Sequence, residues 1–100
     1  MYARVLHSET HSRIVLEGQF VFGERRPFVA ALDQAVQGMS ARIVLDLCKV
    51  TRLDSAALAL MLVARDKLRE RGKTLRLKSA PGATRDLLMV ARFNEHFDFE

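Results

Sequence analysis

An apolar run that leads into a long helix is the feature that most constrains the fold of this chain. Residues Ala41–Leu47 are almost continuously apolar, which is typical of a strand buried on both faces of a sheet. After a short polar step, Asp54 or Ser55 caps a helix that extends to about Arg71 and stops at Gly72. A buried strand that continues into a helix predicts one unit of an α/β sheet.

Shorter segments on either side complete this α/β pattern. Two of them alternate like an antiparallel hairpin, and Gly18 is expected to end the second strand. The order β-β-α-β-α-β-α-β predicts a mixed sheet packed with helices, in one domain over residues 1–100. The predicted elements are strands Met1–His7 and Ser12–Leu16, a loop or short extended piece Gln19–Gly23, a helix Glu24–Val36, a strand Thr74–Leu77, a helix Ala83–Ala91 and a short last strand near Phe97 and Phe99.

Composition excludes several classes of protein. Hydrophobic residues make up 49% of the 100 residues, as in a globular domain. No apolar run approaches the roughly 18 residues that a membrane span needs. The N-terminus lacks a secretory signal, so a cytoplasmic protein is expected. The lone Cys48 excludes an internal disulfide, and neither metal-ligand spacing nor a glycine-rich phosphate loop is present, so no metal or cofactor is predicted.

The charge pattern argues against nucleic acid as a partner. Sixteen Lys and Arg against twelve Asp and Glu give 16 − 12 = +4, and much of the excess lies between Arg65 and Lys78. The aromatic residues that interleave with cations in single-strand binders are missing from this segment. A solvated helix face and turn is therefore the interpretation of the basic run.

The long helix predicts two neighbouring stripes of side chains. The first stripe must face the sheet, because it is apolar throughout. The second begins apolar beside Ser55 and becomes cationic further along the helix. The first stripe consists of Ala57, Leu60, Met61, Ala64 and Leu68, and the second of Leu58, Leu62, Arg65 and Arg69.

The Asp54-Ser55 pair is the strongest candidate for chemistry. Ser and Asp are both preferred as helix caps, so a purely structural role is one interpretation. The other is phosphorylation, because a helix N-terminus stabilises an added phosphate. A hydrolase would need a nucleophile with its base in reach and a pocket. In a domain this small Ser55 is the only well-placed hydroxyl, and Asp54 beside it cannot by itself supply a triad, so no enzyme is predicted.

The same segment resembles the signature of STAS domains, the family of anti-sigma factor antagonists and of the cytoplasmic domains of sulfate-type transporters. Its pattern is an apolar strand ending in Asp-Leu, a hydrophobic position, and then Asp-Ser with small residues and Leu opening a helix. Here these are Asp46-Leu47, Leu53 and residues 54–58. The resemblance extends to Gly18 and to the last helix and closing segment.

This resemblance implies the STAS-like (SpoIIAA-like) α/β fold and a protein-binding function. Ser55 would be the phosphorylated residue of an anti-sigma factor antagonist, and its partner an anti-sigma factor that is a serine kinase. The family often has Ser-Gly where this chain has Ala56-Ala57, and often an acid in the loop that here contains Phe20-Val21-Phe22. The expected partner-binding residues are Asp54, Ala56, Ala57, Leu58, Leu62, Arg65 and Arg69.

Two other functions share this fold and stay open. One is a STAS subunit bound to the ATPase of a membrane transporter, such as a lipid-type ABC transporter, which would use the same helix face without phosphate chemistry. The other is a component of a STAS sensory scaffold, which would form large assemblies. The sequence leaves the oligomeric state open.

Overall fold

A computed structural model describes residues 1–100 and has the predicted α/β fold, with differences at the end of β2 and at the C-terminus. The element order is β-β-α-β-α-β-α, closed by a short 3₁₀ turn. The elements are β1 (Tyr2–His7), β2 (Ser12–Phe20), α1 (Arg25–Val36), β3 (Arg42–Leu53), α2 (Ser55–Glu70), β4 (Thr74–Lys78), α3 (Ala83–Val90) and the 3₁₀ turn Phe93–Glu95.

The four strands form one mixed sheet in the order β1-β2-β3-β4. β1 and β2 are antiparallel, as the hairpin pattern predicts, whereas β2–β3 and β3–β4 are parallel. The parallel pairs are joined through α1 and α2, because parallel neighbours need a crossover connection. The carboxyl ends of β2 and β3 therefore lie at the same edge of the sheet.

The prediction that β2 ends at Gly18 is wrong. The strand continues to Phe20, with irregularities in its pairing to β3 on both sides of Gly18. Gly18 has φ 95°, a backbone conformation that a glycine adopts without a steric penalty. Phe20 is completely buried, and its ring lies 4.8 Å from that of Phe28 in α1. Packing of the Phe20 ring against α1 stabilises the part of β2 that follows Gly18.

The predicted last strand is also wrong. Phe93 and Phe97 are buried, with ring centroids 5.3 Å apart, and the backbone between them turns rather than extends. Phe99 forms only a single parallel bridge with Leu77 of β4. Phe93 and Phe97 thus anchor this segment by packing into the core, and its pairing with β4 is limited to the bridge at Phe99.

All three helices lie on one side of the sheet. Buried residues of α1, α2 and α3 form one core cluster with alternate residues of the strands, such as Ile14 and Leu45. In α2, four of the residues expected to face the sheet are buried, and Leu60 is half-buried. These four are Ala57, Met61, Ala64 and Leu68. No helix combines the length and the hydropathy that crossing a membrane would require.

Candidate functional site

Asp54 caps α2, and it also ties the helix to the loop after β2. It is in an extended conformation between β3 and the helix, and its Oδ1 accepts a hydrogen bond from the N–H of Ala57 at 2.9 Å. Its Oδ2 accepts one from the N–H of Phe22 at 2.8 Å. Since β2 and β3 are adjacent and parallel, one carboxylate can satisfy donors from both connections. This geometry decides between the two predicted caps in favour of Asp54.

These hydrogen bonds lower the pKa of Asp54. The largest cause is the N–H of Phe22, followed by that of Ala57, because both donors stabilise the ionised form. The positive charge of Arg52 contributes in the same direction. Asp54 is therefore ionised at neutral pH, and it leaves a fixed negative charge beside Ser55.

Ser55 is the first residue of α2, and its side chain is exposed to solvent. Because Asp54 provides the cap, the Ser55 hydroxyl is not needed for that purpose. It lies at the end of the helix where backbone N–H groups point outward and the helix dipole is positive. The position can accept a modification without disturbing the core.

The residues that follow Ser55 divide between core and surface. Ala57 is completely buried and belongs to the core cluster, so its side chain is not available to a partner, contrary to expectation. The cause is the helical period, which turns this residue toward the sheet. Ala56 and Leu58 are half-buried beside Ser55, and Leu58 packs partly against the core. Leu62 is half-buried one turn further and packs partly against the core.

The two predicted rim cations lie far from the serine. An α-helix rises about 1.5 Å per residue, which places Arg65 about 15 Å and Arg69 about 21 Å along the axis from Ser55. Arg65 donates to the carbonyl oxygen of His96 at 3.2 Å, forms an ion pair with Asp66 at 3.0 Å, and lies over the ring of Phe97. Arg65 thus secures the C-terminal segment, whereas Arg69 is exposed.

Phe22 is a surface residue of this site that the sequence pattern does not identify. Its backbone is held by Asp54, yet its side chain is 84% exposed. A large apolar side chain so exposed beside a helix N-terminus offers contact area to a partner. The only sequence signal is the aromatic pair after Gly18, of which Phe20 points into the core.

Two hollows lie elsewhere on the helical side. One, of about 370 Å³, lies between α1 and α2 and is lined by apolar residues that include Leu32, Leu60 and Val63. The other, of about 250 Å³, is polar and lies beside Arg65 and Arg69. No group of three or more His, Cys, Asp or Glu side chains converges as metal ligands.

Comparison with known proteins identifies the family. A family profile described as "Mlab, STAS domain" matches residues 3–98. This chain belongs to the STAS domain family. A STAS-domain containing protein of Pseudomonas aeruginosa is 31% identical over 84 residues, which are 84% of this chain and 82% of the relative. The resemblance stated from residues 43–58 is thereby confirmed.

Solved structures share the fold of this STAS domain. An anti-sigma factor antagonist from Mycobacterium paratuberculosis has a TM-score of 0.84 at 18% identity, covering 98% of this chain and 83% of that one. Unphosphorylated SpoIIAA, an anti-sigma factor antagonist that is also solved in a phosphorylated form, has a TM-score of 0.72 at 18% identity, with coverages of 99% and 87%. A sulfate transporter family protein from Wolinella succinogenes has a TM-score of 0.75 at 17% identity, with coverages of 94% and 80%. At these identities the likeness establishes the SpoIIAA-like fold.

Proposed function

We propose that this STAS domain is an anti-sigma factor antagonist whose binding to a serine-kinase anti-sigma factor is switched off by phosphorylation of Ser55. In the cytoplasm, the unmodified domain would hold the anti-sigma factor and so release a sigma factor. The role is one of regulated protein binding rather than catalysis by this chain.

The exposure of Ser55 at the first position of α2 is the observation that carries this proposal. A hydroxyl that capped the helix would be engaged with the backbone, but Asp54 performs that task. The serine is left accessible to a kinase active site, and the helix N-terminus supplies electrostatic support for a phosphate. SpoIIAA, which shares this fold, is solved in phosphorylated and unphosphorylated forms, and this agrees with such a switch.

The proposed docking surface surrounds the serine with apolar groups. Ala56 and Leu58 lie beside it, Leu62 lies further along α2, and the exposed ring of Phe22 lies on the other side of Asp54. Burial of such side chains supplies affinity in proportion to the apolar area removed from water. Arg69 would stand at the rim, where an exposed charge affects the association rate and the choice of partner more than the affinity.

The proposed modification is an ordinary phosphoryl transfer. The Ser55 oxygen forms a bond to the γ-phosphorus of ATP while the bond from that phosphorus to the β–γ bridging oxygen breaks, and ADP leaves. The hydroxyl proton passes to a base of the kinase. This chain contributes the acceptor hydroxyl, and the partner contributes the nucleotide and the base.

The phosphate would dissociate the complex because it charges an apolar interface. It adds about −1.5 to −2 charge at neutral pH next to the ionised Asp54. Solvent and the helix N-terminus tolerate this charge in the free domain, whereas in the complex it would be desolvated. A penalty of about 3 kcal/mol would weaken binding more than a hundredfold, since each 1.4 kcal/mol is about tenfold.

Mass spectrometry after incubation with the cognate kinase and ATP tests the proposal. The expected modification is on the peptide that contains Ser55, and it should be absent from Ser55→Ala. Thr51→Ala is the matched control, because Thr51 is also exposed on the surface just before the helix. That control should be modified to the same extent as the unaltered domain.

Binding measurements provide the second half of the test. Ser55→Asp should bind the anti-sigma factor at least about tenfold more weakly, corresponding to 1.4 kcal/mol or more, whereas Ser55→Ala should bind normally. Modification at another residue, or undiminished binding by Ser55→Asp, would refute the switch. Circular dichroism of each variant verifies that the fold is retained.

A transporter-associated subunit is the second candidate. The description of the matching family profile, "Mlab, STAS domain", and the sulfate transporter relative of the same fold favour it. In that case α2 would bind a transporter ATPase of the lipid-type ABC class. Co-purification of an ATPase that survives Ser55→Asp would support this candidate against the kinase partner.

A further inference from the structure

No helix packs against the face of the sheet that points away from α1, α2 and α3. Residues alternate along a strand, so Ile14 and Leu45 enter the core while their neighbours Val15 and Val44 point the other way. Val15 and Val44 are only 6% and 1% exposed, yet neither belongs to the core cluster. No helix covers them, so the long side chains around them on the same sheet face do.

Strand register places these side chains in two rows, which together we name the outer sheet face. The first row crosses the four strands from β1 to β4 through Leu6, Arg13, Val44 and Arg76. The second crosses them through Arg4, Val15, Asp46 and Lys78. Long cationic side chains thus lie on an apolar centre.

The outer sheet face has an excess of positive charge. Asp46 is the one carboxylate within the two rows, and it pairs with Arg13 at 3.7 Å. Glu17, two residues beyond Val15 on the same side of β2, pairs with Lys49 at 3.1 Å. Arg4, Arg76 and Lys78 form no ion pair. Nε of Arg76 is shielded from solvent and lacks any hydrogen-bond partner. Arg4 comes from β1 and Arg76 and Lys78 come from β4, and the fold brings them to one face of the sheet, where no carboxylate pairs with them.

We propose that the outer sheet face binds an acidic, extended segment of a partner protein. Guanidinium groups match carboxylates with paired hydrogen bonds, which favours Asp and Glu side chains as the ligands. Three inter-strand spacings of about 4.8 Å make the face about 14 Å wide, the length of roughly four extended residues at 3.3 Å each. Leu6 is 48% exposed and would contact an apolar residue of the segment.

Nucleic acid and anionic lipid match this face less well. Single-stranded nucleic acid needs several aromatic rings for base stacking. These strands present one exposed ring, that of Tyr2 at the start of β1. Attachment to a lipid surface requires apolar groups that reach past the charges. Val15 and Val44 instead lie beneath the cationic side chains, and the exposed apolar groups Tyr2 and Leu6 are confined to the edge strand β1.

The binding is separate from the Ser55 switch. The outer sheet face lies on the opposite side of the sheet from α2, and none of its residues is in the proposed docking surface. Failure of the Ser55 experiments would leave this proposal standing, and the reverse also holds.

The test uses a fluorescein-labelled peptide, Glu-Glu-Leu-Glu-Glu-Leu-Glu-Glu. A second peptide with Gln in place of every Glu is the control. Fluorescence anisotropy should give saturable binding of the acidic peptide at about 0.1 M salt, where surface charges are screened beyond about 10 Å. Amide NMR shifts should map to β1–β4 rather than to the start of α2. A single-stranded oligonucleotide and phosphatidylglycerol vesicles are measured in parallel.

Matched charge reversals give the decisive comparison. Arg4→Glu with Lys78→Glu should weaken peptide binding at least about tenfold. Arg26→Glu with Arg71→Glu makes the same change in net charge at exposed positions on the helical side and should change it less than about threefold. If the first pair unfolds the domain, the Gln substitutions at the same positions replace it, together with the NMR map of the unaltered protein.

Several results would overturn the proposal. They are an absence of peptide binding, equal losses in the two variant pairs, or NMR shifts confined to the helices. Tighter binding of the oligonucleotide or the vesicles than of the acidic peptide would assign the face to that other class of partner. A tenfold selective loss together with shifts on the outward residues of the strands would establish it.

Discussion

Replacing Gly38 with Ala should destabilise the domain through a contact made far from Ser55. Gly38 follows α1, and a Cβ there would lie 2.5 Å from Ser12 Oγ and 2.6 Å from His7 Nδ1. These two atoms share a hydrogen bond of 2.8 Å. The Gly38 backbone is itself held, because its carbonyl oxygen accepts from Lys73 Nζ at 3.2 Å. The added methyl group therefore has to displace a side chain.

The size of the loss follows from which side chain can move. His7 is exposed and can rotate into solvent, but Ser12 is only 1% exposed, so its hydroxyl would lose its partner while staying buried. A buried polar group left unsatisfied costs about 1–3 kcal/mol. Reduced freedom of the unfolded chain returns about 0.4–1 kcal/mol. The expected net loss is about 1–2 kcal/mol, or roughly 5–15 °C in Tm for a domain of this size.

Urea denaturation of a double-mutant cycle measures this effect. In a Ser12→Ala background the hydroxyl is already gone, so Gly38→Ala should cost at least about 0.5 kcal/mol less than in the unaltered domain. The backbone of Gly38 is outside the left-handed region, so conformational strain does not confuse the comparison. Unchanged stability of Gly38→Ala, or an equal cost in both backgrounds, would refute the reasoning.

Three further predictions concern α2 and its contacts. Met61→Ala should lower the free energy of unfolding, measured by urea titration, by about 2–5 kcal/mol, since Met61 is completely buried. The control Val63→Ala, at a half-exposed position of the same helix, should lower it by less than about 1 kcal/mol. Asp54→Asn should remove a pH-dependent contribution to stability. Because the pKa of Asp54 is lowered in the folded state, its carboxylate stabilises the fold fully above about pH 3.9 and loses this effect as the pH falls through the lower folded pKa. The Tm difference between Asp54→Asn and the unaltered domain should therefore shrink in that acid range. A Tm difference that is constant with pH would contradict this assignment. Arg65→Ala should cost about 1–2 kcal/mol through the lost contacts to the C-terminal segment, and it should leave modification of Ser55 unchanged by mass spectrometry.

The parts of the fold that depend on local pattern could be predicted from the sequence. The β3–α2 unit is of this kind, because a run of apolar residues and a helical stripe each specify their own burial. The errors occur where distant contacts decide. Phe20 extends β2 past Gly18 because it packs on α1, and Phe97 fills the core instead of continuing into a strand. Neither contact has a signal in the neighbouring sequence.

The candidate site shows the same division. The pattern of residues 54–58 identifies the start of a helix, but it does not separate the capping residue from the one left free. That separation depends on the N–H of Phe22, which reaches Asp54 only because β2 and β3 are neighbours in the sheet. The burial of Ala57 depends on how far the helix has turned when it reaches the sheet.

Cations that are close together in the sequence lie on different surfaces of the folded domain. Along the chain, the cations are most dense between Arg65 and Lys78, which suggests one basic helix face. In the fold, Arg65 is occupied by the C-terminal segment, while Arg76 turns to the other side of the molecule and joins Arg4 from β1. The cations of this segment therefore divide between two surfaces: Lys67, Arg69 and Arg71 stay exposed on the helical side, whereas Arg76 and Lys78 lie on the outer sheet face.

This arrangement gives the domain two surfaces with different physical characters. The surface around Ser55 combines apolar side chains with the ionised carboxylate of Asp54 at a helix N-terminus, and a phosphate on Ser55 would add about −1.5 to −2 charge there. The outer sheet face is cationic before and after that modification, because the sheet separates it from the serine. Two binding sites influence each other only if they bias a shared conformational equilibrium. Asp54 secures the loop after β2 to α2 through hydrogen bonds that do not involve the Ser55 hydroxyl, so phosphorylation has no evident means of altering the sheet. A partner held through the outer sheet face would then remain bound while the Ser55 surface is switched on and off.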